Sequence, residues 1–212
     1  MPILLIPKEA ADVVLGGEER LRHAFARAPL LFTVALLAGV LEMVPWSLMQ
    51  VYVVDNAWSL RAAGFALPVF YWGQVLLTYP LGWIADRAPR RNVLLATSAG
   101  AVGCMVAMAP LGHSPGIWIV IFLAGGIATA SYTLGLAILG QRFDSRTLVS
   151  ANAAFIACYG LGTILGPPAV GALMDRLGPN ALPVALACTA GGIFVCATAA
   201  RLEWQRRDRE RQ

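Results

Sequence analysis

One carboxylate lies deep inside an otherwise uncharged stretch: between Arg27 and Asp55 the only ionisable acid or base is Glu42. An ionised acid at the centre of a membrane helix costs about 2.5–3.5 kcal/mol on insertion scales, so Glu42 is expected to be neutral or to face a polar cavity. Two readings stand side by side. Glu42 is a protonation site that couples proton movement to solute movement, or a contact for a cationic group; or it is a neutral glutamic acid hydrogen-bonding between helices. Gln50 follows it by two helical turns, roughly 80° round the helix, and Pro45 lies between them. Gln74, with Tyr71 one turn before it, and the pair Asn152 and Tyr159 on a shared helix face are further candidates to line a cavity. Each of these alone reads equally well as a packing polar group.

A second group is of a different kind. The run Gly82-Trp-Ile-Ala-Asp86-Arg87-Ala-Pro-Arg90-Arg91 packs one acid and three arginines between two long apolar segments. Gly82 removes a side chain one turn before the end of a helix, which allows a neighbouring helix to approach closely. Asp86 can accept hydrogen bonds from the free N–H groups of a facing helix N-terminus. Arg87, Arg90 and Arg91 can pair with it, with other carboxylates or with lipid phosphates. The cluster thus reads as a releasable latch, and alternatively as a positively charged anchor at a membrane surface.

The elements that must hold these residues follow from composition. The 212 residues are 58% hydrophobic and 13% charged, with a mean hydropathy of +0.67. Soluble domains run near 25% charged, so the chain is expected in a bilayer. Six windows are apolar over the roughly 20 residues that a crossing needs: Pro29–Val54, Ala63–Trp83, Asn92–Leu111, Ile117–Gly140, Val149–Met174 and Ala181–Ala200. Residues 1–28 read as a polar leader ending in a short amphipathic helix (Leu21, Ala24, Phe25 and Ala28 on one face), and residues 201–212 as a basic tail. Of the 16 basic residues, all but Arg61 and Arg176 fall on one side of these spans. By the positive-inside rule that side, with both termini, is cytoplasmic. The net charge of +4 then reflects topology and lipid contact, and no nucleic-acid partner is expected.

The loop sequence has an echo. Gly82-x-x-x-Asp86-Arg87 closes the second span, and Gly171-x-x-x-Asp175-Arg176 closes the fifth, facing the opposite side. That is the pattern of a 3+3 inverted repeat, an arrangement found in secondary transporters. Gly162 and Gly166 form a small-xxx-small face in the fifth span, and Pro167 and Pro168 remove two backbone donors and are expected to bend it.

The charged run resembles the signature loop of the major facilitator superfamily, Gly-x-x-x-Asp-Arg-x-Gly-Arg-Arg. Gly82, Asp86, Arg87, Arg90 and Arg91 match, and Pro89 replaces the inner glycine. The segment from Tyr159 through Gly162, Gly166, Pro167 and Pro168 to Gly171 resembles the family's Gly/Pro-rich fifth-helix segment. The resemblance implies an all-α membrane protein whose six transmembrane helices form half of a twelve-span fold. It implies a secondary transporter that binds a small-molecule substrate and moves it by alternating access, together with a second six-helix half. Span four lacks the embedded arginine of the family's amino-terminal half, so the chain resembles the carboxy-terminal one. An inert six-helix subunit is the competing reading. An intramembrane enzyme is disfavoured because His23 and His113 both lie outside the spans. Cys104, Cys158, Cys188 and Cys196 have no metal or redox spacing, and neither cofactor nor metal is expected. Trp46 and Trp72, deeper than the other tryptophans, could stack on a substrate and are expected rather to be packing residues.

Overall fold

The computed structural model describes residues 25–210, side chains at 145–146 and 203–210 excepted. It is all helical: α1 (Pro29–Asp55), a single-turn α2 (Leu60–Ala63), α3 (Ala66–Arg87), α4 (Arg90–Leu111), α5 (Ile117–Arg142), α6 (Ser145–Leu177) and α7 (Ala181–Glu210). Six segments 22–31 residues long are apolar enough to cross a membrane, as the sequence predicts. The helices extend past the apolar windows, α7 well into the basic tail. The amphipathic helix expected before Pro29 lies largely outside the described residues, although Phe25 packs its ring on Phe32 at 4.4 Å.

Local chemistry places the ends. Pro29 opens α1, where a missing N–H costs nothing. The Ser59 hydroxyl caps α2 by accepting from Ala62 N. Gly178, with φ +83°, ends α6 in a conformation that other residues rarely adopt. Pro167 and Pro168 lie within α6, which runs unbroken from Ser145 to Leu177.

Packing follows three principal seams: α1 with α6, α3 with α5, and α4 with α7. The first two are tight and parallel. A Cβ on Gly39 would overlap the Tyr159 carbonyl oxygen, and one on Gly162 would overlap that of Leu36. Further along, Gly166 abuts Val40 and Val44, so the two helices advance together. In the other seam a Cβ on Gly73 would overlap the Phe122 carbonyl, and one on Gly125 that of Phe70. Lipid tails are as apolar as leucine, so such glycine-mediated backbone approach, rather than hydrophobic exclusion, selects helix partners.

At the end of α1 a polar clasp closes the bundle. The Tyr52 hydroxyl donates to Met108 O at 2.9 Å, Trp58 Nε1 to Gly112 O at 2.7 Å, and His113 Nδ1 meets Asn56 O at 3.0 Å. Burial is uneven. In α3, counted with α2, and in α6 only 22% of the membrane-length window is buried, against 39–56% in the other helices.

Candidate functional site

The close α1–α6 seam carries a side-chain hydrogen bond between helices that includes an acid. Gly39 and Gly162 bring the backbones together, which allows side chains on either side of the contact to meet across it. There the Tyr159 hydroxyl donates to Glu42 Oε2 at 3.0 Å. Both side chains are half-buried. The sequence offered Glu42 and Tyr159 as separate candidates; the fold joins them.

Aromatic rings surround this pair. Tyr132 of α5 stacks at a tilt on Tyr159, 4.6 Å between centroids, and on Phe155 at 5.7 Å. One turn beyond Glu42, Trp46 meets Phe70 and Tyr71 of α3 edge-on at 6.5 and 6.0 Å. Trp46 is nonetheless 37% exposed and Trp72 57% exposed. The expectation that both are packing residues fails for Trp72 and holds only in part for Trp46. Tyr132 was not among the sequence candidates; its position in the middle of an uncharged span was the available signal.

The other candidates separate. Gln50 is exposed and lines an open groove of ≈ 340 Å³ with Val54, Asp55 and Leu60. Gln74 belongs to the α3–α5 seam, and its Nε2 is buried with no hydrogen-bond partner. Asn152 has its Oδ1 buried and unpartnered in the same way. Neither touches the Glu42–Tyr159 pair by hydrogen bond. No group of three or more His, Cys, Asp or Glu able to hold a metal occurs among the described residues.

No neighbouring helix fills the space beside Gly82: nothing lies within 4 Å of a Cβ placed there. Arg87 lies over the Trp83 ring, 3.9 Å from its centroid, and Nη1 donates to Trp83 O. Arg90 Nη1 donates to Ala137 O of α5 at 3.2 Å. These two arginines are thus held by a ring and by backbone carbonyls rather than by Asp86. Asp86, Arg90, Arg91, Gln141 and Arg201 line a cavity of ≈ 410 Å³ on that face. On the next loop of the same face the Thr147 hydroxyl donates to Asp144, and this bond chiefly holds the Asp144 carboxyl below its ordinary range. Of the fifth-span motif, Gly162 and Gly166 contact α1, whereas Gly171 lies at ordinary distance from Leu48.

The family model described as Major Facilitator Superfamily matches residues 31–211. The chain is 31% identical over 141 residues to the uncharacterized MFS-type transporter YfkF of Bacillus subtilis (strain 168), covering 65% of this chain and 35% of that protein. It is 24% identical over 153 residues to the uncharacterized MFS-type transporter YcaD of Escherichia coli (strain K12 / DH10B), covering 72% of this chain and 39% of that protein. An uncharacterized MFS-type transporter of Enterobacter sp. (strain 638) is 26% identical over 172 residues, 81% of this chain and 43% of that protein. The chain thus spans 35–43% of the length of these curated relatives. No solved structure matches.

Proposed function

The chain belongs to the major facilitator superfamily, and from that premise we propose that it is a six-helix unit of a proton-coupled secondary transporter, moving a small solute by alternating access. Proteins of this family are multi-pass membrane transporters rather than enzymes. The observation that carries the coupling role is the Glu42–Tyr159 pair. It joins the one carboxylate that lies between the first and last turns of a described span to a hydroxyl on another helix. A carboxyl so placed can exchange its tyrosine bond for a proton or a solute contact as helices shift.

Several features support an internal 3+3 repeat. The spacing between Gly73 and Gly162 equals that between Gly82 and Gly171, Asp86 and Asp175, and Arg87 and Arg176. Gly39 and Gly125 are set apart by the same interval as Trp46 and Tyr132. Exchanging α1 with α5 and α3 with α6 therefore carries each glycine contact onto its counterpart in the other seam. It also carries the Trp46–Phe70 ring pair onto Tyr132–Tyr159. The seam contacts extend the sequence echo into residues the sequence alone did not single out.

A second six-helix unit is the proposed partner, covering the open faces of α3 and α6. Gly82 of α3 and Gly160 of α6 each leave open space where a Cβ would stand, which admits a close helix. The unit is read as a carboxy-terminal half because no basic residue lies between Ile117 and Gly140. With the arginine-rich face inside, it sits in the plasma (inner) membrane with both termini cytoplasmic. The open space beside Gly82 also favours a second reading, in which the chain is a subunit inert by itself.

In membrane vesicles, Glu42→Gln abolishes proton-driven uptake while leaving membrane insertion intact. Uptake that stays the same across pH removes the coupling role. The mass of the detergent-solubilised protein separates the two readings: a strict monomer without solute binding supports the inert subunit.

A further inference from the structure

We propose that the arginine-lined cavity beside the α3–α4 loop, together with an apolar groove that adjoins it, binds one anionic phospholipid, its phosphate in the cavity and an acyl chain in the groove. The site lies apart from Glu42 and Tyr159 and stands whatever solute the chain moves. The cavity of ≈ 410 Å³ draws on three helices besides the loop: Arg90, Arg91 and Asn92 open α4, Gln141 lies in the last turn of α5, and Arg201 belongs to α7. Among the described residues that line it, Asp86 is the one acid against three arginines. A guanidinium matches a phosphate with paired N–H groups, and basic pockets between membrane helices recognise anionic headgroups. In the loop that echoes this one, Pro179 and Asn180 stand at the same interval from Asp175 as Arg90 and Arg91 from Asp86. A turn of this kind therefore closes without arginines, and their presence here calls for another cause.

Ala88 and Asn92 line the cavity and also a second space, a groove of ≈ 400 Å³, so the two adjoin. Leu81, Ile84 and Ala88 form one side of the groove, and Asn92, Ala96 and Gly100 the other, each set at the three- or four-residue spacing of one helix face. α3 and α4 belong to different seams, which leaves this groove between them. Its one hydroxyl, on Thr97, donates to Val93 O and Leu94 O of its own helix and asks for no further partner. From Asn92 to Gly100 the groove follows α4 for about 12 Å. A soluble phosphate would leave this apolar length empty. A zwitterionic phospholipid fills it but brings an ammonium to a wall of three arginines and one acid. A helix of another unit fills it only if it also carries an acid at the cavity end. An anionic phospholipid meets both requirements, and a bilayer supplies it.

The test uses the whole chain, delipidated in detergent, with lipid adducts followed by native mass spectrometry. Dioleoylphosphatidylglycerol is expected to bind at one site about tenfold more tightly than dioleoylphosphatidylcholine. Arg201→Gln weakens that adduct about fivefold. Arg87→Gln makes the same charge change in the same loop, but Arg87 lies over Trp83 and lines neither space, so the adduct is expected to be unchanged. Ala96→Phe puts a ring into the groove and weakens the adduct about fivefold. Ala96 and Arg201 are both exposed, so these variants keep the fold. Equal binding of the two lipids, or equal losses in Arg201→Gln and Arg87→Gln, reduces the site to the general charge of that face and overturns the proposal. Glycerol 3-phosphate carries the phosphate without the chains: if it displaces the lipid at equal concentration, or if Ala96→Phe binds lipid normally, the cavity belongs to a soluble phosphate. Absence of any adduct gives the groove to a protein helix and equally overturns the lipid site.

Discussion

The α1–α6 and α3–α5 seams are built on one plan and finished differently. In each, two parallel helices touch backbone to backbone at a pair of glycines, and each glycine faces a carbonyl one turn before the partner glycine. What each seam holds beside that contact differs. In α1–α6 it is Glu42 accepting from Tyr159. In α3–α5 it is Gln74, whose buried Nε2 has no partner. The corresponding place to Tyr159 is Phe70, which offers no hydroxyl. Backbone approach is thus a requirement of the architecture, repeated in both seams. Among the described residues, of these two seams only α1–α6 closes a side-chain hydrogen bond between its helices.

The largest effects test the shared part. Gly73→Val and Gly162→Val each drive a side chain into a backbone carbonyl that cannot move away cheaply. Both should lose stability at or beyond the upper end of the about 1–3 kcal/mol typical of overpacking, read by chemical unfolding in detergent. Losses of similar size support equivalent seams; a tolerated substitution at either position breaks the comparison. Gly82→Ala serves as contrast. Its Cβ meets nothing in this chain, so the isolated unit should gain roughly 0.5–1 kcal/mol from better helix propensity.

The next effects test the difference. Gln74→Met removes a buried donor left unpaired, a group that costs about 1–3 kcal/mol, and should raise the unfolding midpoint. Tyr159→Phe removes a satisfied bond and should lower stability by about 0.6 kcal/mol, the average for hydrogen bonds between membrane helices. Opposite signs are the outcome that sharpens the contrast; a stabilising Tyr159→Phe reverses it.

The smallest effect lies in the loop joining the two seams, α5 to α6. Asp144 has a folded pKa below its ordinary value, first because of the Thr147 hydroxyl. Its stabilising contribution is therefore present above the ordinary carboxylate range and is lost as pH falls through the folded value. Thr147→Val should shrink the acid-side loss of stability slightly. An unchanged pH profile assigns the loop no electrostatic part in holding the seams together.

How much of this was legible in advance depends on the physical signal each feature leaves. The six spans were readable because length and apolarity suffice to mark a bilayer crossing. Glu42 was readable because a charge inside a span is costly wherever it points. Its partner was not: Tyr159 is 117 residues away and looks like any aromatic residue in an apolar helix. Gly162 and Gly166 could be read from their spacing, but Gly39 and Gly73 are single glycines and Gly125 is one of an adjacent pair, none with a second glycine four residues away. Gly82 was expected to admit a neighbour and has none here.

Sequence by itself determined six segments long and apolar enough to cross a membrane, and one acid, Glu42, in the middle of the first. Those are one-body properties, set by each residue's transfer from water to lipid. Tertiary structure decided which helices touch, that Glu42 meets Tyr159, and which faces remain open. In lipid an apolar side chain gains almost the same on any face, so hydropathy cannot choose partners; only the steric fit of glycine against a facing backbone does.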